Sequence, residues 1–261
     1  MNIIVCIKQV PDTTEVRIDP ATGTLVREGV PSIINPFDEN AIEAALQLAE
    51  ANEGSRVTII TMGPPQADQA LREAVAMGAD QGILVSDRAF AGSDTLATSY
   101  TLARAVRHVG DFDLILCGKQ AFDGDTAQVG PGLAEHLGIP QITYAIGLEV
   151  EGKKLRVKRL LEDRYEVVEA RLPALVTVVK QANDPRHPGL RGVMKARKAE
   201  IPVWTAADIE ADVARCGLSG SPTNVLRVFA PTRHAKGERL EGEPAEVAAQ
   251  LYDKLHATQV V

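Results

Sequence analysis

Continuous runs of aliphatic and β-branched residues, each of strand length, recur at 2–10, 56–62, 81–86 and 113–117. They are unbroken rather than alternating, the pattern of strands covered on both faces, so they read as parallel strands. Between them the apolar positions fall at helical spacing: Ala41, Ala44, Ala45, Leu48 and Ala49, then Ala70, Leu71, Ala74 and Val75, then Leu96, Leu102, Ala103 and Val106. The order β-α-β-α-β-α-β predicts right-handed crossovers and an α/β fold built on a doubly wound, mostly parallel, Rossmann-like sheet. In such a sheet ligands bind beyond the carboxyl ends of the strands, so function is expected in the loops that follow them.

After the fourth strand a short helix is expected to run to Leu137, and the period then changes to two. Residues 149–157, with a turn at Glu151-Gly152-Lys153-Lys154, and 166–179 read as antiparallel or edge strands flanking a hairpin. Beyond Gln181, the stretch Asn183-Asp184-Pro185-Arg186-His187-Pro188-Gly189-Leu190 favours an exposed loop, with Lys195, Arg197 and Lys198 as a basic cluster behind it. Residues 243–256 place Val247, Ala248, Leu251 and Leu255 on one face behind an early proline, which predicts an amphipathic helix. The expected organisation is an α/β domain over 1–181 and an arm over 182–261 suited to docking on a partner.

Charge narrows the function classes. Of 261 residues, 28 are Lys or Arg and 35 Asp or Glu, a net charge of −7 spread along the chain, with no footprint for nucleic acid or an anionic membrane. No apolar run approaches the roughly 20 residues of a bilayer-spanning helix, and Met1-Asn2-Ile3-Ile4-Val5 reads as a first strand rather than a signal peptide. Cys6, Cys117 and Cys216 are widely separated with no CxxC pair, which argues against a disulfide framework or metal site and suggests a reducing cytoplasm. No GxGxxG, Walker-type phosphate loop, GxSxG or HExxH occurs, and the five histidines lack ligand spacing.

Four loops carry candidate chemistry. Gly118-Lys119-Gln120-Ala121-Phe122-Asp123-Gly124-Asp125-Thr126-Ala127-Gln128-Val129-Gly130-Pro131 leaves a strand and enters a helix, with Asp125 or Thr126 expected as cap. Such a helix start binds phosphate through backbone N–H groups and a hydroxyl, although an ordinary capped helix accounts for it equally well. In Ser32-Ile33-Ile34-Asn35-Pro36-Phe37-Asp38, Asn35 is expected to cap a helix, with an adenine edge or ribose as its other use. Met62-Gly63 offers a soft surface and close backbone approach to a base, and Ser93-Asp94-Thr95, with Thr98 following, is another cap near the same edge.

These residues together resemble the β subunit of electron-transfer flavoproteins. The matching stretches are Val5-Cys6-Ile7-Lys8-Gln9-Val10-Pro11-Asp12, Asn35-Pro36-Phe37 with Glu43, the run AVAMGAD from Ala74 to Asp80, Gly118-Lys119-Gln120-Ala121 with Asp123-Gly124-Asp125, Gln128-Val129-Gly130, and Met194-Lys195-Ala196-Arg197-Lys198. They cover residues 1–200, with a looser tail. The wording of 10–20 and 27–36 is closest to the electron-bifurcating group. The resemblance implies a fold of the adenine nucleotide alpha hydrolase-like kind with a C-terminal arm embracing an α subunit.

It also implies FAD, or AMP in the same pocket, lined by Cys6, Asn35, Pro36, Phe37, Asp38, Met62, Gly63 and the loop Ala121, Asp123, Gly124, Asp125, Thr126, Ala127, Gln128, Val129, Gly130 and Pro131. Asp94, Thr95 and Thr98 would lie near a flavin ring. Leu190 would mark a recognition loop for an acyl-CoA dehydrogenase, with Arg186, Lys195 and Lys198 around it. NADH is the implied donor, and one electron would pass to a second FAD on the α subunit and the other to ferredoxin or flavodoxin. The alternatives are a non-bifurcating β subunit holding structural AMP, and a homodimeric nucleotide-binding stress-type protein with no redox role. In the redox readings the flavin supplies the chemistry, so no catalytic side chain is expected.

Overall fold

The computed structural model describes residues 1–12, 31–226 and 237–260. In chain order its elements are β1 (Asn2–Ile7), β2 (Gln9–Pro11), β3 (Ser32–Ile34), α1 (Pro36–Ala51), β4 (Arg56–Met62), α2 (Asp68–Met77), β5 (Gln81–Val85), α3 (Thr95–Val109) and β6 (Leu114–Gly118). There follow α4 (Val129–Leu137), β7 (Gln141–Glu151), β8 (Lys154–Leu160), β9 (Tyr165–Arg171), β10 (Ala174–Val178), α5 (Leu190–Lys198), β11 (Val203–Trp204) and α6 (Pro244–Ala257). The main sheet has the order β11-β5-β4-β1-β6-β10-β7-β8-β9, parallel from β11 to β7 and antiparallel through β8 and β9. The doubly wound, mostly parallel α/β fold read from the sequence is the fold observed.

Both faces of the parallel strands are covered, which is why their sequences do not alternate. Ile3, Val5, Ile59, Leu114 and Leu116 pack under α1 and α2, through Ala41, Ile42, Ala45, Leu71 and Ala74. Ile4, Ile60, Ile83 and Ile115 pack under α3 and α4, through Leu102, Ala103, Val106, Leu133 and Ala134. Each such large aliphatic side chain, fully buried, contributes about 1.5–3 kcal/mol. Alanines bring the helices close to the sheet. Gly132 of α4 does the same between helices, since a Cβ there would press on Ser99 of α3.

Besides β7, which starts at Gln141 rather than at 149 and also pairs in parallel with β10, three elements differ from the sequence expectation. The first run breaks at Lys8: β1 ends at Ile7, and Gln9–Pro11 pairs instead with β3 in a separate antiparallel ribbon. The break is made by side-chain and backbone partners outside the run, because the Lys8 N–H donates to Asp38 Oδ2 (2.7 Å) and its carbonyl accepts from Asn35 N–H (2.9 Å). The 166–179 run splits at Leu172-Pro173, where the chain passes from the antiparallel β9 to β10, inserted between β6 and β7. Proline has no N–H for a ladder and marks the point of departure. The third is β11, two residues too short to leave a periodic signal, which extends the sheet beside β5.

Internal packing divides the chain into Met1–Arg227 and Val228–Val261. Residues after Gln181, expected to form an arm, begin within the first unit, where α5 packs its Ala196 against Val75 and Ala76 of α2. In the second unit α6 starts at Pro244 behind Glu243, within one residue of the helix expected at 243–256.

Gly118, at the end of β6, is a tight point of the fold: a Cβ there would overlap Asp38 Oδ1 and the backbone of Phe37 and Asp38. Gly118→Ala is expected to cost about 3 kcal/mol, because the obstacle is largely backbone. Urea denaturation should show a lowered midpoint at unchanged slope, and an unchanged midpoint would mean that α1 can move away freely.

Candidate functional site

The chain leaves β1 for α1 and β4 on one side, and leaves β6 for α4 and β7 on the other, so the switch point lies between the carboxyl ends of β1 and β6. Asp38, in the first turn of α1, is buried directly beneath it. Its Oδ2 accepts the Lys8 N–H (2.7 Å) and its Oδ1 the Gly118 N–H (3.0 Å), so one carboxylate holds the ends of both strands. Asn35 holds the loop that follows. Its Nδ2 donates to the Gln120 carbonyl (2.8 Å) and its Oδ1 accepts the Phe122 N–H (3.0 Å). Asn35 does precede α1 as its N-cap, but its side chain makes no capping bond, contrary to the sequence expectation. Being fully buried with both ends of its amide engaged, it acts on the loop from below.

The loop itself is closed by Gly124 and Asp125, whose N–H groups both donate to the Ala121 carbonyl (3.3 and 2.8 Å). Lys8 Nζ pairs with Asp123 (2.7 Å) across the crevice. Asp125 and Ala127 take left-handed conformations (φ 51° and 53°), which turn the chain sharply ahead of α4. This turn delays the helix: α4 begins at Val129 behind Gln128, and not behind Asp125 or Thr126. No side chain caps it. The first N–H groups of α4 therefore remain available at the positive end of its dipole.

Two packed glycines and one hydrogen bond bring α3 and α4 to the same place. Gly130 lies against Thr177 and Cys117 at the ends of β10 and β6, Gly132 lies against Ser99, and Thr95 Oγ1 donates to Gln128 Oε1 (2.7 Å). Thr95, Gln128, Val129, Gly130 and Pro131 are thus gathered where two helices begin. Thr126 is exposed beside them, and Asp123, Gly124 and Asp125 form the outer rim. Asp94 serves α3 and the later chain together: Oδ1 accepts from Leu96 and Ala97 N–H, and Oδ2 from Thr223 N–H (3.0 Å). Burial pushes the Asp94 carboxyl up, but these three backbone donors win and hold it below the usual range. Thr98 donates its N–H to the Asp94 carbonyl (3.0 Å) in the same helical turn.

Other expected residues sit deeper or on a neighbouring strand. Cys6 is buried opposite its register partner Cys117, whose thiol is pushed well up by Cys6 and by burial. Met62 and Gly63 are half-buried at the end of β4, and the Gly63 N–H donates to the Val85 carbonyl (3.1 Å). Pro36 and Phe37 are half-buried at the start of α1.

The residues expected to dock a partner lie elsewhere, beside α1 and α2. Leu190 opens α5 and is 79% exposed; Lys198 closes it and is exposed. Arg186 and Lys195 turn to their own chain: Arg186 pairs with Glu43 (2.7 Å), and Lys195 Nζ donates to the Ala79 carbonyl (2.9 Å). Thr177 and Ser99 escaped the sequence reading as parts of the crevice, whereas Gly118 opened its candidate loop.

What these residues can do chemically is bind. The donors are the uncapped backbone N–H groups at the start of α4 with the Thr126 hydroxyl nearby, a set that suits the phosphate or pyrophosphate of a nucleotide. The residues therefore fit an adenine nucleotide or FAD. Among the described residues no group of three or more His, Cys, Asp or Glu is placed to hold a metal ion, and no helix is long and apolar enough to cross a membrane.

Comparison with known proteins agrees with this geometry. Residues 22–209 match the family described as electron transfer flavoprotein domain. The chain is 53% identical over 255 residues to an electron transfer flavoprotein subunit beta of Clostridium acetobutylicum, covering 98% of each chain. It is 52% identical over 270 residues to that of Megasphaera elsdenii, and 51% identical over 262 residues to the caffeyl-CoA reductase-Etf complex subunit CarD of Acetobacterium woodii, both at full coverage of both chains.

Asp38 makes the clasp sensitive to pH. Burial pushes its carboxyl up from 3.8 to about 7, against the pull of the Lys8 N–H, Asn35, the Gly118 N–H and the Lys8 charge. Folding thus favours the protonated form: the stabilisation is full below about 4 and is lost as pH rises to about 7. Comparing Asp38→Asn with the wild type by chemical denaturation at each pH isolates this group. The advantage of the wild type is expected to shrink between pH 4 and 7, and a constant difference would show that Asp38 keeps an ordinary carboxyl.

Proposed function

The chain belongs to the electron transfer flavoprotein family as a β subunit, and from that premise we propose that its crevice holds FAD as part of an electron-bifurcating complex. The supporting observation is the cluster of uncommitted backbone donors at the start of α4, beside the start of α3. In this reading the N–H groups around Thr126, Gln128, Val129 and Gly130 receive the pyrophosphate, while Gln128, braced by Thr95, sets the spacing of the two helices. Flavin held there would supply the redox chemistry, that of passing on singly electrons received as a pair.

The protein's own residues bind and orient. Asp38 and Asn35 hold the loop at fixed height, and Lys8 keeps Asp123 from presenting a free negative charge to the phosphates. Asp94, spent on three backbone donors, acts by fixing the start of α3 rather than by touching a ring. An α subunit is the proposed partner, embraced by the arm of 182–261 and carrying the second FAD. NADH is the proposed donor, and ferredoxin or flavodoxin the low-potential acceptor. An acyl-CoA dehydrogenase docks on the exposed face of α5 through Leu190, with Lys198 at its rim; the name of the Acetobacterium woodii relative, which joins a CoA-ester reductase to such a complex, supports this choice. AMP fits the same donors with a single phosphate and gives the simpler carrier.

Nucleotide extraction from the co-expressed αβ complex decides between them. Two FAD per heterodimer is the expected result; one FAD with one AMP would replace it by the carrier reading, and no nucleotide in β would exclude both. Thr126→Val or Gln128→Ala should weaken nucleotide retention by about 1–3 kcal/mol without lowering the thermal midpoint of the nucleotide-free fold. Undiminished occupancy in equilibrium dialysis would remove these side chains from the site.

A further inference from the structure

Helix α1 carries two sets of polar attachments on one rigid body. Its first turn holds the crevice loop through Asn35 and Asp38. Its next turns hold the chain leading to α5. Asn40, nearly fully buried, donates its Nδ2 to the Asn183 carbonyl (2.7 Å) and Oδ1 (3.0 Å), and Asn183 Nδ2 donates back to the Asn40 carbonyl (3.0 Å). One turn on, Glu43 is 4% exposed and meets Arg186 in a two-pronged pair, Nε to Oε2 (2.7 Å) and Nη2 to Oε1 (3.0 Å), with the Arg186 N–H also on Oε2 (3.2 Å). Glu50, two turns further, takes the rest of the guanidinium. A buried carboxylate needs such a partner, and the planar guanidinium supplies it in one fixed orientation.

The helix that follows is fixed from its other side. Arg72 of α2 donates to the Ala196 and Ala199 carbonyls (2.9 and 3.1 Å), Lys195 donates to the Ala79 carbonyl, and Gly192 lies so close to Ala76 that no side chain fits between them. The large apolar side chains that α5 leaves uncovered are Leu190 and Met194, 79% and 55% exposed and four residues apart on one face. Arg186, by contrast, has its guanidinium committed to two carboxylates of its own chain.

We infer that Arg186 is a positioning residue for partner docking: through Glu43 it fixes the 183–189 loop on α1 and sets the angle at which Leu190 and Met194 meet the partner, without touching the partner itself. The inference rests on the reading that α5 docks the dehydrogenase. It replaces the expectation of Arg186 as a contact residue, and it makes α1 the common support of the crevice loop and the docking helix.

The test is steady-state electron transfer from the NADH-reduced αβ complex to an acyl-CoA dehydrogenase, with the complex as the varied substrate and nucleotide content measured in parallel. Arg186→Gln and Glu43→Gln are each expected to raise KM about tenfold with kcat within about twofold and nucleotide content unchanged, and the double variant to be no worse than either single. Arg186→Lys, which keeps the charge but not the fork, should raise KM similarly. A wild-type KM in Arg186→Lys or in Glu43→Gln, or fold-changes that multiply in the double variant, would overturn the inference and make Arg186 a direct contact. Leu190→Ala separates the two levels: a raised KM upholds the docking reading, whereas an unchanged KM removes that reading and the inference with it.

Discussion

One carboxylate spanning two strand ends organises this molecule. Asp38 accepts an N–H from the residue after β1 and another from the last residue of β6, and it does so from the first turn of the helix that β1 leads into. The strand break at Lys8, the glycine at 118 and the seating of α1 all follow from that contact. A larger side chain at 118 would occupy the space of the carboxylate, and a continuous first strand would carry the Lys8 N–H away from it. The cost of burying Asp38 appears as its raised pKa, and the return is a crevice whose two walls are tied at the base.

The loop above the clasp then has few freedoms left. Asn35 takes the Phe122 N–H and offers its amide to the Gln120 carbonyl, so the backbone from 120 to 122 is held before the turn at 123–125 begins. Left-handed residues at 125 and 127 turn the chain into α4 with its leading N–H groups uncapped, while Gly130 and Gly132 allow α4 to approach β10 and α3. A binding site made of main-chain donors asks little of side-chain chemistry but much of main-chain position. Such a site needs the buried polar supports found beneath it.

Much of the fold was legible because apolar periodicity and layer burial are the same fact seen twice: runs such as 56–62 became strands buried on both faces, and the doubly wound order followed. The crevice loop was legible as Gly118 to Pro131, since a strand, a turn-rich segment and a helix lie in sequence. The roles of single polar residues were not. Asn35 and Arg186 carry the composition of a cap and of a surface cation, but their partners lie 85 to 87 and 136 to 143 residues away in sequence, a relation no local pattern contains. The strand break at Lys8 is likewise invisible locally, because Asp38 imposes it from thirty residues on. Of the stretches 10–20 and 27–36, whose wording suggests the bifurcating group, residues 13–20 and 27–30 lie outside the described residues.

Amide hydrogen exchange on the αβ complex, with nucleotide removed and restored, tests the central claim most directly. With the crevice empty, the N–H groups of Lys8, Gly118 and Phe122, held by Asp38 and Asn35, should exchange slowly, while those of Thr126 to Gly130 exchange fast and become protected only when FAD or AMP is added. Protection of Thr126 to Gly130 in the empty protein, or none gained on adding nucleotide, would contradict the account: the donors would then be spent within the fold and the loop would be an ordinary turn.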